Sequence, residues 1–343
     1  MKILYLRIAL LLSLLFIPFV LQILRSQDDC PSMLERAETL FERGLIEEIP
    51  ELLDECIRNG FTHEEKTRAQ RLIILSYLFD NKISQAENAM IGFLRENPEY
   101  RIQPGDPAEF AFMFSNFSTR PAFSIAAFLG GNLTSATVVT SYGPYNPATD
   151  DNYFSLLPET QLGAGASVFL NNNLELNMEG IYSRNSFAHN IRYNFAEIYK
   201  RETHQKLEFP VSLTYDLPGG RLNPYLRAGA SYGLILSAQT NYRLMYLNGN
   251  RDIFESNMLN IGEKRSQGTF SALIGAGVKF KIPRGHIFFD MRYYYGLTEL
   301  VIPENRWDQE TTFRYYYTDG DFITDNLSFS IGYRYLFYRI TKM

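Results

Sequence analysis

From Phe123 onward the chain alternates, apolar then polar, through most of its remaining length. A period of two is the repeat of a β-strand, whose successive side chains point to opposite faces. Leu207, Phe209, Val211, Leu213 and Tyr215 share one face, with Glu208, Pro210, Ser212, Thr214 and Asp216 on the other. Phe270, Ala272, Ile274, Ala276, Val278 and Phe280 stand opposite Gly275, Gly277, Lys279 and Lys281. Eight such segments begin near Phe123, Gln161, Leu174, Leu207, Tyr225, Thr269, Ile287 and Leu327. Most have a patterned stretch of about 9–11 residues, the length a tilted strand needs to cross hydrocarbon. Short turns at Asn171 to Asn173, Pro218 to Asn223 and Pro283 to Gly285 alternate with long stretches around 135–159, 184–205, 240–268 and 299–326, expected as loops. Short turns on one rim and long loops on the other are the pattern of an outer-membrane barrel.

Charge decides which face is inside. The polar faces carry Glu175, Glu179, Glu208, Asp216 and Asp290 against Arg227, Lys279, Lys281, Arg292 and Arg334, and the other faces carry essentially none. In a soluble barrel the apolar face would point inward and the charges outward. Eight strands enclose a lumen narrow enough for side chains to fill, so these acids and bases are placed inside, paired. The uncharged face then meets lipid, where an Arg or Lys at the midplane costs roughly 2–4 kcal/mol. This accounts for an aromatic fraction of 15%, with Tyr 23 and Phe 26 but Trp 1, in a chain whose mean hydropathy is only −0.19. Past residue 24 no apolar run reaches the ~18 residues of a spanning helix. The net charge of −5 points away from nucleic acid.

Ahead of the strands, Lys2 and Arg7 flank the start of an apolar run from Ile8 to Leu24, read as a signal peptide over 1–27, with a retained signal anchor as the alternative. Residues 28–105 read as a small all-α domain of four helices. Leu34, Ala37, Leu40 and Phe41 mark the first apolar stripe, and Ile49, Leu52, Leu53, Cys56 and Ile57 the second. Thr62 with Glu65 has the spacing of a capping box. Helices three and four resemble a tetratricopeptide repeat, with Tyr77, Ala86 and Pro98 at its aromatic, alanine and proline positions. Gln70 stands where that repeat has tryptophan. Cys30 and Cys56 are disulfide candidates, the alternative being a buried thiol at Cys56. Cys30 follows Gln27, Asp28 and Asp29, which is not a lipidation signal. Residues 106–120 are expected to link this domain to the barrel at 121–343. The fold expected is therefore α+β and multidomain: a helical module on the periplasmic side, then an eight-stranded antiparallel transmembrane β-barrel.

The stretches Gln205 to Val211 (QKLEFPV), Asn223 to Ala230 (NPYLRAGA) and Ile274 to Phe280 (IGAGVKF) resemble the PorT-type outer-membrane barrels of Bacteroidota. The resemblance implies an outer-membrane barrel; founding members of that family are associated with type IX secretion and gliding. The helical domain is an addition to a bare barrel.

Catalytic signatures are missing: no HExxH, CxxC, G-x-S-x-G or phosphate loop occurs. No catalytic, cofactor or metal site is expected, and the chain is read as non-enzymatic. Ser186 with His189 is the pair a lipid-modifying barrel enzyme would use, and Asp319-Gly320-Asp321 the one calcium-like triplet. Tyr315 to Tyr317 and Trp307 fall in the last long loop, as contacts for glycan or protein or as an aromatic rim. The leading expectation is an anchor or accessory scaffold in an envelope complex. Its partners are outer-membrane lipid and a protein bound by the helical domain. An outward-facing binding protein or adhesin is the alternative, and a lipid-modifying enzyme the third.

Overall fold

The computed structural model describes residues 30–142, 152–247, 252–307 and 309–343. The expected signal peptide lies outside the described residues. The chain divides into two compact units, one running to Arg120 and including Tyr338–Met343, the other Pro121–Phe337.

The helical unit contains α1 (30–42), α2 (Ile49–Asn59), α3 (His63–Phe79), α4 (Ile83–Glu96) and α5 (Ala108–Ser115). Leu34 and Ala37 on α1 meet Ile49 and Leu53 on α2 and Ala69 on α3 in one small core. Lys66 at the start of α3 pairs with Glu96 at the end of α4 at 2.9 Å, so the two run antiparallel. Ala86 is fully buried in the core they share with α5, Tyr77 packs on its edge, and Pro98 follows the end of α4. The reversal between them rests on Asn81, whose φ of 56° is left-handed, a conformation asparagine tolerates.

The stretch expected as a linker over 106–120 is instead mostly structure. Phe110 and Met113 of α5 are buried in the core of α3 and α4, because a segment this apolar cannot stay solvated. Nor does the barrel own the chain to Met343. Ile340 packs on the same helical core, Tyr338 Oη donates to Glu99 at 2.5 Å, Lys342 pairs with Glu87 at 2.7 Å, and Met343 N donates to Asn116 O at 2.8 Å.

Cys30 and Cys56 form a disulfide across α1 and α2, with Cα atoms 5.6 Å apart. Gly60 lies against it: a Cβ there would collide with the Cys30 sulfur, so this approach requires glycine. At the start of α3, Thr62 Oγ1 accepts from Glu65 N at 3.4 Å and Thr62 N donates to Glu65 Oε2 at 2.9 Å, a complete capping box.

In the second unit, eight long strands are hydrogen-bonded in the cyclic order β1 (Phe117–Thr140), β2 (Asn152–Phe169), β3 (Leu174–Arg192), β4 (Ala196–Asp216), β5 (Leu222–Tyr246), β8 (Gly268–Ile282), β9 (Gly285–Gly296), β10 (Asp321–Lys342) and back to β1. Every described pairing of these strands is antiparallel. Two short strands, β6 (Ile253–Glu255) and β7 (Leu259–Asn260), pair with the end of β5. A short helix α6 (Gln309–Tyr315) precedes β10.

The strands are longer than the patterned stretches suggested, and the region 184–205 is no loop. β3 and β4 stay paired from Leu174↔Tyr215 up to Arg192↔Glu197, with a turn of Tyr193–Phe195 between them. The reason is visible on the outward face. On β3 it is apolar at Leu174, Leu176, Met178 and Tyr182, then polar from Arg184; on β4 it is apolar from Tyr215 back to Leu207, then polar from Gln205. Above that height the outward face is polar and the inward face mixes Phe187 and Ile198 with polar groups, so the alternation disappears while the backbone ladder continues. The apolar reach from Leu174 to Tyr182 is about 26 Å along the strand at ~3.3 Å per residue. At a tilt of about 40° this covers roughly 20 Å of membrane normal.

Two predictions follow from the helical unit. Cys56→Ser should lower its stability by about 2–4 kcal/mol, read by denaturant titration followed by helical circular dichroism, and Gly60→Ala should destabilise the same unit. Thr62→Ala should cost about 1 kcal/mol at neutral pH. The hydrogen bonds from Thr62 hold the Glu65 pKa below its ordinary value. The Glu65 carboxylate's share of the cap is therefore complete above the unfolded carboxylate's pKa and is lost as pH falls through the lowered folded value, while the bond from Glu65 N to Thr62 Oγ1 does not titrate. The difference between wild type and variant should shrink in part over that acid range; a difference that does not shrink at all would count against the carboxylate's share.

Candidate functional site

Alternation places one side chain in two inside the ring, and the interior is a column of charge. In its lower part Glu175 contacts Lys279 and meets Arg334 at 2.6 Å, while Lys279 also meets Asp216 at 2.6 Å. Beside them Glu179 accepts from Arg227 at 2.7 Å and contacts Arg292, and Asp290 accepts from Arg292 at 2.9 Å and from Tyr225 Oη at 2.8 Å. Four carboxylates thus meet four cations. Arg292 lies over the Phe128 ring at 5.2 Å and Lys279 over Tyr225 at 5.1 Å. Such pairing is required: an ion left alone in this surrounding costs several kcal/mol.

Of the ten charges read from the sequence, Glu208 is also buried on the inward face, beside the buried Lys206. Lys281 is the exception. It shares the inward register of β8 but sits next to the Pro283–Arg284 turn and is exposed at the rim, where water solvates it.

Sequence reasoning misses a second layer, because its strand members lie in 184–205, where the alternation is absent, and Arg265 and Asp319 lie in loop segments. Lys200 and Glu202 on β4 pair at 2.8 Å, Arg265 donates to Glu202 at 2.5 and 2.7 Å, and Asp319 takes Lys200 at 2.6 Å and Arg265 at 3.0 Å. His204 Nε2 lies 2.7 Å from Glu202. Burial works against the Asp319 carboxylate, yet Arg265 and Lys200 beside it hold its pKa below the ordinary value. The signal available was the inward parity of Lys200, Glu202, His204 and Lys206, continuous with Glu208. A bulge hid its β5 side: Gln205 pairs Ser237 but Lys206 pairs Ile235, so one extra residue switches which β5 side chains face in.

The last loop closes this upper part. Tyr315 and Tyr317 are buried against Ile198, Tyr242 and Leu244. They are core, therefore, and not an exposed aromatic rim; Trp307 and Tyr316 remain exposed. Asp319 is spent on Lys200 and Arg265, and Asp321 on Arg306, so the Asp-Gly-Asp triplet binds cationic side chains. Among the described residues no group of three or more His, Cys, Asp or Glu is placed to hold a metal.

Ser186 and His189 are not brought together. Three residues apart on one strand, they point to opposite faces. Ser186 Oγ donates to Glu159 at 2.6 Å on the outside, and His189 Nδ1 lies 3.0 Å from Tyr317 Oη inside.

The outward face is the inverse of this column. Leu129, Leu162, Met178, Phe270 and Ile274 are each about 60% exposed, a surface a water-soluble protein does not keep. Residues 114–301, from α5 through β9, match the family described as outer membrane protein beta-barrel domain. The chain belongs to that family. Its barrel places it at the outer membrane, and solved structures with similar barrels share the fold at low identity. Neisserial surface protein A is 15% identical, covering 64% of this chain and 99% of its own, with a TM-score of 0.34. OprG from Pseudomonas aeruginosa is 13% identical, covering 63% and 96%, at 0.34. Ail of Yersinia pestis, solved with the heparin analogue sucrose octasulfate, is 12% identical, covering 62% and 99%, at 0.27. A comparison with functionally curated proteins gave no match.

The pairing of the lower column is testable. Arg292→Leu leaves Asp290 and Glu179 to share Arg227 alone and should cost about 3 kcal/mol, measured by urea unfolding of the folded barrel in detergent. Lys281→Ala, at an exposed position, should stay within about 0.5 kcal/mol of wild type.

Proposed function

We propose that the protein is a non-enzymatic outer-membrane anchor that presents a tetratricopeptide-like helical unit to a protein partner in the periplasm. It would serve an envelope complex handling protein export or barrel assembly, the setting implied by the PorT-type resemblance. The observation that carries this reading is the tail. Residues on both sides of the barrel sequence, Phe117–Arg120 and Tyr338–Met343, belong to the helical unit, and Ile340 packs on its core. The chain therefore crosses between the units twice, after Arg120 and after Phe337. The charge column supports an anchor over a channel, since the side chains of Asp290, Glu202, Arg292 and Arg265 are at most 1% exposed and fill the lumen with paired ions.

On the helical unit, Phe79 and Ile83 leave apolar surface uncovered at the α3–α4 turn. A photo-cross-linking residue at either position, in cells making the full chain, should give one discrete protein adduct. With the cross-linking residue at Ile83, that adduct should be lost on Phe79→Asp, with the barrel still folded. Recovery of the chain without any adduct would remove the reading.

A second reading, an outward-facing binding protein, is favoured by a specific feature: an open concavity among the loops beside Trp307.

A further inference from the structure

We propose that the loop concavity beside Trp307 is a binding site for a neutral saccharide. The space is about 730 Å³, within the range of ligand sites and enough for a short oligosaccharide. Its wall is polar: Asn260, Glu263, Glu304, Asn305 and Gln309, with the buried Ile261 at its base. Trp307 stands at the edge, 65% exposed, although a large aromatic side chain is ordinarily drawn into a core. An indole face offers a flat apolar surface to the C–H face of a pyranose ring. The surrounding groups suit hydroxyls, which both donate and accept. Carboxylates accept only, and amides do both. Asn305 gives its Nδ2 to Glu263 O at 2.6 Å and retains an acceptor oxygen; Asn260 accepts from Gly262 N at 2.9 Å and retains its NH2 donors.

Charge selects within the class. Glu263 and Glu304 outweigh Lys264 in the wall, which disfavours phosphorylated or sulfated sugars.

The site is also held in place before any ligand arrives. The 3-10 turns Gly262–Lys264 and Pro303–Asn305 carry half of its lining, and they are laced together. Ile302 N donates to Lys264 O at 3.1 Å, Ser266 N to Leu300 O at 2.8 Å, and Arg265 bridges Val301. Ile261 N donates to Ala238 O of β5 at 2.9 Å. Arg265 then roots the pair of loops in the interior through Glu202 and Asp319. Loops ordered in advance lose less entropy on binding. This gives the upper charge layer a consequence at the surface.

Trp307 is the chain's single tryptophan, so fluorescence excited to the red of tyrosine absorption reads this site alone. The full chain, folded in a detergent without a sugar headgroup, is titrated with N,N′-diacetylchitobiose, maltose and methyl α-mannoside, with sucrose octasulfate as the anionic control. The expected result is a saturable fluorescence change with at least one neutral sugar and none with the polysulfate. Followed by calorimetry, Trp307→Ala should weaken that binding at least tenfold, Trp307→Phe less, and Glu304→Gln about tenfold. Heat-modifiable migration on gels confirms that each variant folds. Flat titrations with all three sugars would overturn the proposal, as would preference for the polysulfate or unchanged affinity in Trp307→Ala. The cross-linking result at Phe79 is independent of every one of these outcomes.

Discussion

A strand in hydrocarbon has no water to satisfy its edge, and the rest of this structure depends on that fact. Each unpaired amide or carbonyl there costs several kcal/mol. The only arrangement that removes both edges is a ring, and β1 pairs with β10 to complete it. Closure then dictates alternation. With lipid outside and a narrow lumen inside, every strand must send apolar residues one way and everything else the other.

What goes inside must be satisfied there. The interior groups reach neither lipid nor bulk water, so their charges are solvated by one another. Glu179 has Arg227 and Arg292; Glu175 has Lys279 and Arg334; Glu202 has Lys200 and Arg265. Each member serves more than one partner, so the column is a network spread over most of the ring. It fills the lumen, and it also fixes surface features. Arg265 and Asp319 belong to the loop segments, and their burial decides where the turns beside Trp307 stand.

Much of the barrel was legible in sequence wherever one face was purely apolar. The outward run on β9, Ile287, Phe289, Met291, Tyr293 and Tyr295, could be assigned without coordinates, and so could the inward Asp290 and Arg292. Legibility failed above Tyr182 and beyond Leu207 toward the chain start, where the outward side becomes Arg184, Gln205 and Arg201. A strand that is polar outside and mixed inside, as where Ile198 and Phe187 alternate with charged and polar groups, has no period to read. The upper layer of Lys200, Glu202, Arg265 and Asp319 was lost with it, as was the bulge at Leu236. Ser186 and His189 are close in sequence, but on a strand three residues apart means opposite faces.

By itself the sequence determined the class of structure, because alternation and the sign of each face are local properties that any strand in lipid must obey. It set the number of spanning strands, the lipid-facing residues, and the helices with their capping box. Only the tertiary structure decided the pairings. Which acid meets which base depends on register around a closed ring, and register brings together residues as distant as Glu175 and Arg334. The fate of the tail was decided in the same way. The strand runs on through Tyr338 and Ile340 with its apolar side moved to the register of Arg334, and both belong to the helical unit, Ile340 packing on its core, because an apolar residue goes to whichever core reaches it.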